Sequence, residues 1–202
     1  SVLWILRVPP RMRRLFDDTI GASPLPVARE LRRRLPSCLD DPAEATMLHN
    51  RLYELHGIGD RPGIPPSEEG QNGFTQLCMI AKVLDVPGIV LEAPAMTDVT
   101  DFHLSSKNVT MPPLRRPERG EAAFLGVRVG REAWVPPLVL EHAGRVWDLQ
   151  GCFLGSEFCG HQISIARSCE DETWAVSDSD GIRLGIRPIC FRRPKGVAWA
   201  DL

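Results

Sequence analysis

The chain has 202 residues, of which 43% are apolar and 25% charged, and its formal net charge is −2. Such a length suits one domain with its own core, and the composition excludes a disordered polymer. A charge this close to neutral argues against nucleic acid or an anionic membrane as the main partner; no apolar run approaches the roughly 20 residues of a membrane helix, and no signal peptide is read at the start.

Apolar residues at spacings of three and four run through Val2, Leu3, Ile5 and Leu6, and again through Met12, Leu15 and Phe16. Pro9-Pro10 must interrupt them, because proline lacks the N–H and clashes inside a helix. One helix before Pro9 and a second after it are expected. Residues 25–35 read as a third, with Ala28, Leu31 and Leu35 on one face. Residues 42–56 form the best helical pattern. Asp40 or Asp41 can cap it, Pro42 suits its first turn, Ala45, Leu48, Leu52 and Leu55 make its stripe, and Gly57 ends it. The Gly, Pro, Ser and Glu of 57–73 read as loop. Phe74 to Val83 is helical again, with Phe74, Leu77, Cys78 and Ala81 at helical spacing.

From residue 88 the character changes. Residues 88–120 carry several prolines, scattered short apolar runs and no clear period, and 112–120 reads as loop. Strand-like runs follow at 122–129, 134–142, 146–154, 161–168, 173–178 and 182–191, rich in Val, Ile, Leu and Phe and separated by turn residues. Helices first and strands second read as α+β, with an antiparallel sheet. The arginines at 29, 32, 33 and 34 are interrupted by Glu30 and carry no interleaved aromatics, so they read as a solvated helix face.

Six cysteines stand at 38, 78, 152, 159, 169 and 190, none in a Cys-x-x-Cys pair. Without a secretory signal they point to a reducing intracellular compartment, cytoplasmic or nuclear. Structural zinc usually takes ligands in closely spaced pairs, so neither a metal nor any other cofactor is expected. Cys159 and His161 could share a metal as Cys-x-His, but no second pair completes a tetrahedron.

The stretch "FCGHQISIARSCEDETWAVSDSD" (158–180) carries the chemistry. Gly160 lets the chain approach closely, and His161 opens a strand. An acidic turn follows, then a second strand ending at Asp178. Antiparallel pairing across that turn brings 178 back towards 161. An aspartate there would accept from one ring nitrogen and leave the other as a base. The plainer reading is a surface histidine beside a solvated aspartate.

The wider stretch "VWDLQGCFLGSEFCGHQISIARSCEDETWAVSDSDGIRL" resembles the histidine box of the ubiquitin-specific protease family. Trp147-Asp148-Leu149 stands for its Tyr-x-Leu, Gly160-His161-Gln162 for Gly-His-Tyr, and Trp174 to Ser179 for Trp-Tyr-x-Phe-Asp-Asp. "FLGVRVGR" is similar to the palm strand before it, and "VPPLVLEHAGRVWDL" to the apolar run that follows. "SVLWILRVPPRMRRLF" resembles the helix after the catalytic cysteine. "EEGQNGF" (68–74) occupies the place of the Gln-Gln-Asp element and keeps its polar character and Phe74. The resemblance covers most of the chain and is sharpest over 121–184.

The resemblance implies a single papain-like domain over 1–202. Residues 1–84 would form a helical thumb, 85–120 reduced fingers, and 121–202 an antiparallel palm. It implies a thiol peptidase that cleaves after the C-terminal glycine of ubiquitin or a ubiquitin-like modifier, with ubiquitinated proteins as partners. His161 would be the base and Asp178 its orienter, with Ser179 a weak carry-over near the oxyanion. Three departures stand out: there is no cysteine box, there are no paired finger cysteines, and Gln162 and Ser179 replace an aromatic and an acid.

The nucleophile is therefore expected ahead of Ser1, and the chain as given is expected to be inactive. Cys38, ahead of the 42–56 helix, is the best internal substitute, but the acidic "LPSCLDD" would raise its pKa. Cys78 and Cys190 read as core residues, and Cys159 as a loop residue beside the cleft. His49 and His56 read as helix-surface residues, and His103 and His142 as lying in or beside loops. Two alternatives remain: a catalytically inactive pseudo-protease that binds ubiquitin or another protein, and another papain-like protease, such as a viral one.

Overall fold

The computed structural model describes residues 2–58, 72–99, 102–104, 109–111, 113–129, 136–155, 162–168, 173–178 and 189–192; at 102–104, 109–111, 155 and 189–192 it describes the backbone alone. Helices occupy the first part of the chain and strands the second, so the protein is α+β. The helices are α1 (Val2–Arg7), α2 (Pro10–Ala22), α3 (Pro26–Arg34), α4 (Pro42–His56) and α5 (Gly73–Val83).

Local chemistry explains their bounds. Pro9 is extended, with φ −66° and ψ 123°, and separates α1 from α2. Proline stands in the first turn of α2, α3 and α4, where its missing N–H costs nothing. The Asp41 carboxylate accepts from the N–H groups of Ala43 and Glu44, and left-handed Gly57 closes α4 at φ 62°. Asn72 caps α5 by accepting from the Thr75 N–H. At the far end of α5, Asp85 turns left-handed at φ 57°. There the N–H groups of Asp85 and Val86 reach back to the carbonyls of Lys82 and Ala81.

α1 is apolar all round, and Val2 to Leu6 are all buried. Such a helix belongs inside a core rather than on a surface. It packs against α2, α5 and strand β9 (Gln162–Arg167). Phe16, Ile20, Leu31, Leu48, Leu52 and Ile80 extend the same core.

Among the described residues the strands fall into four groups. β1 (Gly88–Ala93) pairs with β5 (Phe124–Val129), and β2 (Thr97–Asp98) joins the other edge of β1. β3 (Phe102–Leu104) pairs with β4 (Val109–Met111), and β6 (Val139–His142) with β7 (Arg145–Asp148). The largest sheet is antiparallel in the order β11 (Ile189–Arg192), β10 (Thr173–Asp178), β9, β8 (Gly151–Gly155).

Three features depart from the sequence reading. Part of 88–111, which shows no clear period, is sheet. β1 and β5 pair in parallel, from Gly88↔Phe124 to Ala93↔Val129, whereas an antiparallel palm was expected. β1 is buried at five of its six positions, so it shows no alternation to read. The run expected as one strand over 146–154 is divided at Leu149-Gln150 between β7 and β8, which lie in different sheets.

Polar ties hold the connections. The two-residue turn Ala143–Gly144 has positive φ at both positions, 52° and 69°, the geometry that matches strand twist in a tight hairpin. Arg115 bonds Glu121 at 2.7 Å and Asp85 at 3.1 Å, and Arg145 donates to the carbonyls of Glu118 and Glu121. The Arg115 hydrogen bond, helped by the Glu118 N–H, pulls the Glu121 carboxyl down to about 2. A lowered folded pKa stabilises above the ordinary carboxylate range, and this contribution fades as pH falls towards 2.

Most of the basic cluster is engaged within the chain. Arg32 donates to the carbonyls of Ile20 and Gly21 at the end of α2. Arg33 pairs with Glu30, and Arg34 with Glu30 and Glu44. Among the described residues, no helix is long and apolar enough to cross a membrane.

Candidate functional site

The hairpin expected from the sequence is present. β9 and β10 run antiparallel from Trp174↔Arg167 to Asp178↔Ile163. The N–H and hydroxyl of Ser168 both donate to the Thr173 carbonyl. Asp178 therefore stands across from Ile163, two residues along the chain from His161. His161 itself lies outside the described residues, as do Cys159, Gly160, Cys169 and Ser179.

Strand alternation gives this sheet two unlike faces. Ser164, Ala166, Ala175 and Ser177 lie on one of them and are buried. Gly151, paired with Ala166, lies against α1, where a Cβ would come within 2.5 Å of Ile5 Cδ1 and 2.8 Å of the Ile165 carbonyl oxygen. Small side chains thus let the buried helix sit directly on the strands. The other face carries Ile165 and Trp174, packed with Leu138, Leu149, Cys152 and Val176. Ile163 and half-buried Asp178 follow on this second face by alternation.

A contact not anticipated from the sequence lies at the start of β9. The Gln162 side-chain oxygen accepts from the Gly73 N–H at 2.7 Å. It thereby satisfies one of the amides that a helix leaves unpaired in its first turn. Gly73 suits the place: a Cβ there would lie 2.7 Å from Phe153 Cε1 and 3.0 Å from the Gln162 oxygen. Gln162 and Gly73 are far apart in sequence, so no local pattern pointed to the pair. The described end of "EEGQNGF" thus makes the start of α5. Phe74 packs with Cys78 and Val90 and lies so close to Gly126 that a Cβ there would be 2.8 Å from its ring.

The three cysteines whose side chains are described, Cys38, Cys78 and Cys152, are not activated thiols. Burial, then Glu44, with Arg34 opposing and Asp41 adding, pushes Cys38 up to about 11. Burial alone pushes Cys78 up to about 12 and Cys152 to about 11. A reactive cysteine needs the opposite environment. In the folded protein at pH 8, all three should therefore react with iodoacetamide at least tenfold more slowly than in urea, as peptide mass mapping would measure. Rapid alkylation of Cys38 would reopen it as a nucleophile.

His49 differs from the surface position expected of it. It is half-buried on α4 beside Leu48, and burial lowers its pKa. The imidazole is therefore neutral at physiological pH. His56 is exposed, and His142 ends β6, where its carbonyl accepts from Trp147 Nε1 at 3.2 Å. Among the described residues, no group of three or more His, Cys, Asp or Glu is placed to hold a metal ion.

Comparison with known proteins returns no matching family model, no significantly similar characterised sequence and no significantly similar solved structure.

Proposed function

We propose that the chain is the thumb-and-palm part of a papain-like cysteine peptidase of the ubiquitin-specific protease kind. The observation that carries this reading is the β9–β10 register, which sets Asp178 across from Ile163, two residues from His161. A base and its orienter need this kind of cross-strand neighbourhood. The buried α1 against β9 adds support, since a papain-like site lies where a central helix meets a strand of the palm.

In this reading the thiol is contributed by residues ahead of α1. His161 takes the thiol proton as the sulfur attacks the carbonyl carbon of the ubiquitin C-terminal glycine, whose bond to the amine nitrogen then breaks. It returns that proton to the departing amine, and water then releases the acyl group from sulfur. Asp178 holds the imidazole in the productive tautomer and stabilises its charged form. Ubiquitin or a ubiquitin-like modifier, and proteins conjugated to it, are the substrates.

The test is a ubiquitin bearing a C-terminal propargylamide, applied to the full-length protein. One covalent adduct is expected, on a cysteine ahead of α1, and His161→Ala should abolish it. Absence of any adduct, with ubiquitin still bound reversibly, would replace the peptidase by a non-catalytic ubiquitin-binding module. Absence of both would overturn the ubiquitin assignment.

A further inference from the structure

We propose that Gln162 is a positioning residue, whose side chain clamps the start of β9, next in sequence to His161, to the first turn of α5. This inference rests on the peptidase reading for its catalytic consequence, but the clamp itself stands on described atoms.

Several observations converge on it. The Gln162 oxygen takes the Gly73 N–H at 2.7 Å. Asn72 takes the Thr75 N–H, so side chains from two parts of the chain satisfy one helix start. The acceptor sits at the positive end of the helix dipole, where an electronegative group is favoured. Phe153, on the neighbouring strand β8, fills the space that a side chain on Gly73 would need. On its other side β9 is held by β10, and its small-residue face lies against α1. The residue after His161 is therefore tied down from the helical half as well as from the sheet.

This also gives a physical account of the departure at 162. An aromatic there has no amide oxygen to offer the Gly73 N–H. Glutamine spends its one acceptor on a backbone donor in another element, which suits a residue that positions rather than reacts. A displacement of about 1 Å at a catalytic group can cost about a hundredfold in rate, so a clamp adjoining the base has leverage without touching substrate.

The experiment compares Gln162→Leu with Gln162→Glu in the full-length protein. Glu keeps an acceptor beside the helix start, and Leu removes it at similar size. Amide exchange at Gly73, read by NMR, should speed up about tenfold in Gln162→Leu and stay near wild type in Gln162→Glu. With a fluorogenic ubiquitin amide, Gln162→Leu should lower kcat about tenfold or more at little-changed KM, and Gln162→Glu should retain most of the rate. Exchange at Gly73 that is indifferent to Gln162→Leu would overturn the clamp. Faster exchange with unchanged kcat would overturn its positioning role. If the wild type turns over no substrate while Gly73 remains protected through Gln162, the peptidase reading fails, the clamp is kept as a structural device, and the catalytic role is withdrawn.

Discussion

Cutting Trp174 back to alanine should cost the fold about 3–5 kcal/mol, a large share of the margin of a domain this size. Trp174 is fully buried, near the start of β10. It anchors the small cluster with Ile165, Leu138, Leu149, Cys152 and Val176 on the face of the sheet away from α1. No other described side chain there has its volume, so truncation leaves a cavity between β9, β10 and the Leu138–Leu149 crossing. The strands on either side are fixed by their ladders and cannot collapse to fill it. Urea unfolding followed by circular dichroism measures the loss, and Trp174→Phe should recover about half of it. A midpoint change worth less than about 1 kcal/mol would mean that this cluster contributes little.

Asp178→Asn is the second large effect, and it should appear in rate rather than stability. On the proposed mechanism, Asn would keep the shape of the side chain but offer an N–H where the carboxylate is to accept, which would favour the wrong imidazole tautomer. By analogy with the aspartate of a serine protease triad, turnover of a ubiquitin amide by the full-length protein should fall by about 10³–10⁴. Asp178 is half-buried at the end of β10, opposite Ile163, so the thermal midpoint should move little. A rate within a few-fold of wild type would remove Asp178 from the mechanism. A matching loss of folding stability would recast it as a structural residue.

The helical half was largely readable because each boundary is encoded locally. Pro9-Pro10 breaks the first apolar run, Asp41 and Pro42 open α4, and Gly57 closes it. The β9–β10 hairpin was readable too, because its strands alternate and the two runs adjoin. β1 was not, because a strand buried on both faces has no alternation, and its parallel partner β5 lies beyond two further pairings. β7 and β8 ran together on paper because nothing in Leu149-Gln150 resembles a turn. At the candidate site, the placing of Asp178 near the start of β9 followed from the hairpin pattern. The contact between Gln162 and Gly73 did not, since it depends on a helix start in the other half of the chain.

The burial of α1 also has a consequence for the order of events during synthesis. Six residues are too few to hold a helix on their own in water. The surfaces that cover Ile5, namely Gly151 and its partner strand, emerge only when most of the chain has been made. Until then α2 and α5 can cover only part of the "VLWIL" segment, and the face that meets β8 and β9 stays exposed on the nascent chain. Its docking closes a very long loop and should come late. In the interim it is the natural hold for a chaperone and the first place for aggregation to begin.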